Sequence, residues 1–296
     1  MATLSNSLAG KFPVSSPWMA WLPVAIGLAA ICLPMFYHLS ETAWNTEENS
    51  HGPIILMVFV WLMWQKRDVL IDETQPAKPS PLLGWSALLF GLLVFILGSS
   101  QSINTLAVGS LLPILVGILL IMRGWSAVRA LWFPLLFLCF MVPLPGLLVE
   151  MITGALKAQV SLVAENLLYF AGYPIARNGV ILSIGQYKLL VADACSGLNS
   201  MFSLSALGLL YLYMMQYRNW LHIGLMLLAI LPIAFVANVI RVLILVLITY
   251  YFGDAAGQGF AHMAAGMVLF VIALLLLLGF DALLRATLFR PRSAVA

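Results

Sequence analysis

The polar turn around Cys195 is the part of this sequence whose residue types best suit chemistry. Cys195 falls between a β-like run over 179–191 and a long apolar run over 201–215, and Ser196 and Asn199 follow it. We therefore expect it in a turn at a helix start. The unpaired N–H groups and the dipole there stabilise a thiolate, which is the reactive form of cysteine. Cys195 is thus a candidate nucleophile, although a small buried residue at a helix start would give the same pattern.

Two further candidates lie in later apolar runs. Arg241 lies inside the run 221–252, and a charge within a membrane span is costly and usually functional. Asn238 is one turn earlier on the same helical face, and His262 begins the run 260–280. Arg241 could instead form a packing ion pair or reach lipid headgroups, and His262 could be a solvated helix-start residue. Asn238 could orient either of them or simply bridge two helices.

A cysteine, a histidine and a fixed cation together suit acyl transfer through a thioester. His262 would accept the thiol proton from Cys195 and later serve the incoming nucleophile. Arg241 is always charged and would stabilise the oxyanion or the thiolate. This chemistry requires helices that bring the three residues together.

The composition indicates that those helices lie in a membrane. The chain has 296 residues, of which 63% are hydrophobic and 8% are charged, whereas soluble domains carry about 25% charged residues. The net charge of +3 is too small and too scattered for nucleic-acid binding. The three cysteines form no Cys-x-x-Cys pair, and we expect no metal or cofactor. Cys32 and Cys139 lie in apolar runs, and we expect them to be packing residues.

The apolar runs predict an all-α polytopic membrane protein with about eight transmembrane helices in one domain, residues 1–296 with a core over 18–280. The predicted spans are 18–37, 52–65, 82–98, 106–122, 131–142, 196–215, 221–252 and 260–280. The second is short against the ~20 residues that a span needs. With eight spans and both termini inside, the loops rich in lysine and arginine share the inner side. Cys195, Arg241 and His262 then converge at the outer boundary.

The segment between the fifth and sixth spans has a different pattern. Within 147–170 the polar residues recur every three or four positions, which predicts an amphipathic outer-face helix lying along the membrane or against other helices. Alternating residues over 180–184 and 187–191, with turn residues at Asn178-Gly179 and Gly185, predict a small β-hairpin.

On these residues the sequence resembles the exosortase/archaeosortase family of membrane transpeptidases. The resemblance rests on the run Ala-Cys-Ser-Gly-Leu-Asn over 194–199, on Asn-Val-Ile-Arg over 238–241, on His262 and on the eight-span layout. It implies that Cys195, Arg241 and His262 are the catalytic residues. It also implies a substrate class, namely secreted proteins with a C-terminal signal made of a Pro-Glu-Pro-like motif, an apolar helix and an arginine cluster. The expected location is the bacterial inner membrane, with the site at the periplasmic face and exopolysaccharide-export machinery as a possible partner.

Two functions of other classes stay open from the sequence. A transporter or lipid flippase would use Arg241 and Asp193 to bind an anionic substrate, although such proteins favour inverted repeats, and none is apparent. The chain could also be a structural subunit of a polysaccharide export complex. Only the enzyme requires a thiol.

Overall fold

The computed structural model describes residues 17–46, 49–71, 78–144, 146–190, 197–217, 219–253 and 260–288. Most of them are helical. The helices in chain order are α1 Pro17–Glu41, α2 Gly52–Gln65, α3 Arg67–Ile71, α4 Pro81–Ser100, α5 Asn104–Gly109, α6 Leu111–Met122, α7 Trp125–Ala130, α8 Trp132–Leu138, α9 Gly146–Phe170, α10 Gly197–Met215, α11 Trp220–Phe252 and α12 Phe260–Thr287. Three strands follow α9, namely β1 Ile175–Asn178, β2 Ile181–Ile184 and β3 Tyr187–Leu190.

Each predicted span contains helical residues. Among the described residues, four helical segments are long and apolar enough to cross a membrane, and these are Trp21–Asn45, Pro81–Ser100, Asn104–Met122 and Trp220–Phe252. Shorter apolar helices occupy Gly52–Gln65, Trp132–Met141 and Ser203–Met215. Large apolar side chains also stand exposed along α1, α2 and α4, a surface that needs lipid. The helical membrane class is therefore confirmed, while the count of about eight spans stays a prediction.

The chain divides into two compact units. The first comprises Met1–Asn45 and Pro53–Val142, and the second comprises Thr46–Gly52 and Pro143–Ala296.

A close helical hairpin forms the centre of the first unit. α4 packs along α5 and α6, and Gly84, Gly91 and Gly98, spaced seven residues apart, lie on its buried side. A Cβ atom on each would come within 3.0 Å of one backbone nitrogen, those of Ile121, Ile114 and Ala107 in turn. Glycine is therefore what allows the two backbones to approach this closely.

Two basic loops meet at one end of the first unit. The Arg123 side chain donates a hydrogen bond to the carbonyl of Leu70, with its Nε at 2.9 Å. The backbones of Lys78 and Gly124 form an isolated β-bridge. The described parts of the basic segments 66–81 and 123–129 therefore lie together. This agrees with their predicted placement on one side of the membrane, which itself remains a prediction.

The second unit is built around α11, which packs against α9, α10 and α12. One side of α11 joins α9 and the strands in a cluster of buried residues, Val160, Ala164, Leu168, Leu182, Ile184, Val239, Val242 and Val246. Its other side joins α10 and α12 through Leu204, Ala234, Ala237 and Ala273. Burial of apolar side chains on both sides fixes the position of α11.

The strands form an antiparallel sheet in the order β1-β2-β3. The predicted hairpin is confirmed as β2 and β3, and β1 is an additional strand. Gly179 and Gly185 occupy the first loop position of the two connections with φ of +63° and +56°, as type II′ hairpin turns require. Leu182 and Ile184 face the core, whereas Ile181 is exposed.

The polar stripe of α9 faces other parts of the second unit. Ser161 is fully buried, and its hydroxyl donates to the Lys157 carbonyl at 2.8 Å. Glu165 accepts a hydrogen bond at 2.9 Å from Arg177 of β1. Large apolar residues of α9, such as Leu162, Leu167 and Met151, are exposed. Of the two predicted placements, the structure therefore supports packing against the protein.

Candidate functional site

Asn238 and Arg241 are buried in α11, with exposed fractions of 1% and 5%. At 100° per residue, Arg241 lies on the side of α11 that packs on α10 and α12, and Asn238 lies between that side and the side that packs on α9 and the sheet. Thr249, also fully buried, is three turns after Asn238 on the same stripe. The sequence pattern did not single out Thr249, although its spacing from Asn238 was visible. Arg241 thus lies inside the helical unit and not at its lipid-facing surface.

The relative directions of α10, α11 and α12 follow from two packed layers. The first contains Leu204, Ala234, Ala237 and Ala273, and the second contains Leu212, Met226, Ile230, Leu277 and Leu284. From the first layer to the second, residue numbers rise along α10 and α12 and fall along α11. α11 is therefore antiparallel to the two helices that flank it.

These directions bring the predicted site residues to one end of the three helices, which we call the site end. From the first layer towards that end, α10 continues for seven residues to Gly197, and α11 continues for four residues to Arg241. α12 continues for eleven residues to His262. At 1.5 Å per residue these are axial distances of roughly 10, 6 and 16 Å. The helix positions of Gly197, Arg241 and His262 therefore share the site end.

The structure describes the predicted residues to different extents. Cys195 and Ser196 lie outside the described residues, two positions and one position before the start of α10. Asn199 lies in the first turn of α10, and His262 lies in the first turn of α12. The catalytic roles of Cys195, Arg241 and His262, and the supporting roles of Ser196, Asn199 and Asn238, remain predictions.

The two remaining cysteines make no disulfide. Cys32 is half-buried, and Cys139 is exposed, so Cys139 is not the packing residue that its apolar run suggested. Among the described residues no group of three or more His, Cys, Asp or Glu side chains could hold a metal ion.

The opposite end of the same three helices contains a polar cluster that the sequence pattern missed. The Asp281 carboxylate is fully buried and accepts hydrogen bonds from Tyr211 at 2.7 Å, from Tyr217 at 2.8 Å and from His222 Nε2 at 2.7 Å. Arg285 forms an ion pair with it from the next turn. We call these five residues the Asp281 cluster. Burial raises the pKa of the Tyr217 phenol, so that hydroxyl remains a donor.

The Asp281 cluster brings together residues that are distant in the sequence. The His222 ring stacks on Tyr217 with centroids 4.1 Å apart and donates to Asp281. The last span was predicted to end at residue 280, but α12 continues to Thr287 and contains Asp281. The partners are 59 to 70 positions apart, so only the folded helices bring them together. His222 is 19 residues, roughly 28 Å, from Arg241 along α11, and the cluster is therefore separate from the site end.

Comparison with known proteins assigns the family. The family model described as transmembrane exosortase (Exosortase_EpsH) matches residues 44–279, a range that includes Cys195, Arg241 and His262. No curated protein and no solved structure matches the chain significantly. Because the matched range covers most of the 296 residues and agrees with the helical membrane fold, the chain belongs to the transmembrane exosortase family.

Proposed function

We propose that this chain is a membrane cysteine peptidase and transpeptidase. It cleaves a C-terminal sorting signal with a Pro-Glu-Pro-like motif from secreted proteins and transfers them to an acceptor in the cell envelope. The proposal rests on family membership and on one structural observation. A buried arginine, Arg241, lies in the half of α11 towards the end of the three helices at which the helices after Cys195 and around His262 begin.

The reaction would proceed in two steps, acylation of Cys195 and transfer of the acyl group to the acceptor. His262 takes the proton of the Cys195 thiol, and the thiolate attacks the scissile carbonyl. Arg241 stabilises the oxyanion of the tetrahedral intermediate. When that intermediate collapses, the C–N bond breaks and the leaving amine takes the proton from His262. A nucleophile of the acceptor then gives its proton to His262 and attacks the thioester, and Cys195 leaves as a thiolate that takes this proton back from His262.

The burial of Arg241 suits this role. A guanidinium exposed to water would be screened, whereas one that is 5% exposed acts at a lower effective dielectric constant. Asn238, one turn away and 1% exposed, is a candidate for holding the orientation of the guanidinium. The same burial argues against the alternative in which Arg241 reaches out to lipid headgroups.

The proposed location is the bacterial inner membrane, with both termini in the cytoplasm and the site end at the periplasmic face. α11 supports this placement, because Arg241 is 21 residues after the exposed Trp220, roughly 31 Å at helical rise. That distance matches the thickness of the hydrocarbon core, about 30 Å. The exopolysaccharide-export machinery is the proposed cellular partner.

Trapping of the acyl-enzyme tests the proposed function. Purified wild-type protein, incubated with a synthetic Pro-Glu-Pro-containing sorting signal and hydroxylamine, should release the hydroxamate of the N-terminal fragment. Cys195→Ala should release none. Cys139→Ser and Cys32→Ser are the matched controls and should retain activity, with the exposed Cys139 as the more demanding comparison. Equal loss in all three variants, at equal expression, would instead indicate structural cysteines. Absence of hydroxamate from wild type would favour a transporter or an export subunit.

A further inference from the structure

The free edge of β3 is a surface of backbone donors and acceptors. β3 pairs with β2 on one side, and among the described residues no strand pairs with its other side. The β2–β3 turn is of type II′, so its flanking residues Ile184 and Tyr187 form a hydrogen-bonded pair. Hydrogen-bonded and non-hydrogen-bonded pairs alternate along an antiparallel ladder. The N–H and C=O groups of Lys188 and Leu190 therefore point away from β2, towards the free edge.

The sheet that carries this edge packs against α11. The β2–β3 turn lies against its end, where a Cβ on Gly185 would be 3.6 Å from the Tyr250 ring. Leu189 of β3 packs on the buried cluster that includes Val239 and Val242. Val239 lies two residues before Arg241 in the sequence, and Val242 lies directly after it. The sheet is thus fixed to the segment of α11 that carries Arg241.

The edge strand is also close in sequence to the candidate nucleophile. Only four residues, 191–194, separate the end of β3 at Leu190 from Cys195. Leu190 and Cys195 are five residue steps apart, so even a fully extended segment places their Cα atoms at most about 18 Å apart. This limits how far Cys195 can lie from a peptide bound beside Leu190.

We propose that β3 binds the polypeptide substrate by strand addition, so that the substrate's extended backbone becomes a fourth strand of the sheet, paired with the strand that precedes Cys195 in the chain. This inference rests on the proposed function and specifies how its substrate is recognised. Main-chain hydrogen bonds to Lys188 and Leu190 supply the affinity, as in other complexes where a peptide extends a sheet. An edge strand left open is otherwise a liability, because it pairs with unrelated chains.

Strand addition makes a specific demand on the ligand. In an extended peptide only every second residue directs its N–H and C=O to one neighbour. Proline has no N–H and is tolerated where that group faces away. A Pro-Glu-Pro segment can therefore join β3 if the glutamate N–H faces the edge and both prolines face outward.

Backbone methylation of the peptide tests this alternation without altering the protein. The probe is a fluorescent nine-residue peptide centred on Pro-Glu-Pro, and its affinity is measured with the Cys195→Ala variant in nanodiscs. N-methylation of the glutamate, or of a residue two positions from it, should weaken binding about fivefold for each lost hydrogen bond. N-methylation three positions away should leave the affinity within about twofold. Equal effects at all positions would overturn strand addition.

A pair of variants at Lys188 gives the complementary test on the protein. Lys188→Pro removes the outward N–H at a position that does not bond to β2, so the sheet should remain intact. Binding of the unmodified probe should weaken about fivefold. Lys188→Ala, the matched control, keeps the N–H and should bind like the parent. Equal affinity of the two variants would overturn the proposal.

Failure of this inference and failure of the proposed function are distinguishable. Cleavage by wild type with no alternation in the methylated peptides would overturn strand addition alone. Alternation in binding without cleavage or hydroxamate would support strand addition and overturn the peptidase. A probe that neither binds nor is cleaved would overturn both.

Discussion

Replacement of Asp281 by alanine should strongly destabilise the second unit. The carboxylate is fully buried and accepts hydrogen bonds from Tyr211, Tyr217 and His222 at 2.7–2.9 Å. Asp281→Ala leaves these three donors without their acceptor in an apolar surrounding. Removal of one partner of a buried ion pair costs about 3–5 kcal/mol. Three buried donors left without an acceptor cost about 1–3 kcal/mol each, and the range of their sum includes this cost. This is a large part of a typical unfolding free energy of about 5–15 kcal/mol.

The measurement is the thermal midpoint of purified protein in detergent, followed by tryptophan fluorescence. At about 2–4 °C per kcal/mol, Asp281→Ala should lower the midpoint by about 6–20 °C. Arg285→Ala is the matched control, because its side chain is 48% exposed and its removal leaves the three hydrogen bonds to Asp281 in place, so the loss should be about 0–1 kcal/mol. Its midpoint should fall by no more than about 4 °C. Equal midpoints for the two variants would refute the view that the buried donors determine the stability of this end.

Three further predictions concern the site end and the topology. Arg241→Lys keeps the charge but loses the planar pair of donors, so cleavage should fall on the order of a hundredfold; near-normal turnover would reject the catalytic role. In His262→Ala, alkylation of Cys195 should slow at neutral pH, and the defect should shrink as the pH approaches the free-thiol value of about 8.5, where the thiolate forms without a base. Alkylation rates unchanged at every pH would show that the two residues are not paired. Cysteine-accessibility labelling should find residues 66–81 inside and residues 173–193 outside; labelling of both from one side would contradict the eight-span topology.

The positions of the helices were predictable because lipid selects long apolar runs. The predicted span 221–252 differs by one residue from Trp220–Phe252, whereas the last predicted span, 260–280, ends seven residues before α12 does. The turn glycines likewise fixed the β2–β3 hairpin, because a positive φ at Gly185 strongly favours glycine. β1 was missed since Ala176, Arg177 and Asn178 have little β-propensity. Its pairing with β2 and the Glu165 ion pair hold it in place.

The candidate site was predictable only in part, because a charge in an apolar run is visible in the sequence whereas contacts between distant residues are not. A buried arginine stands out in an apolar run, and so Arg241 could be identified from the sequence alone. The Asp281 cluster could not, because Tyr211 and His222 become partners of Asp281 only when α10, α11 and α12 pack together. Thr249 lay in an apolar run with no charge to distinguish it.

The glycine hairpin of the first unit limits how this protein can adapt to bilayers of different thickness. Along α4 each step of seven residues, from Gly84 to Gly91 to Gly98, moves the contact back by seven residues along α6 and α5. Only a matched insertion or deletion of seven residues in both arms would preserve every glycine contact, and it would change the hairpin length by roughly 10 Å. Cellular membranes differ in hydrocarbon thickness by only a few Å. A change in hairpin length is therefore too large a step to follow these differences, which leaves tilting of the hairpin or local changes in bilayer thickness to match it to the membrane.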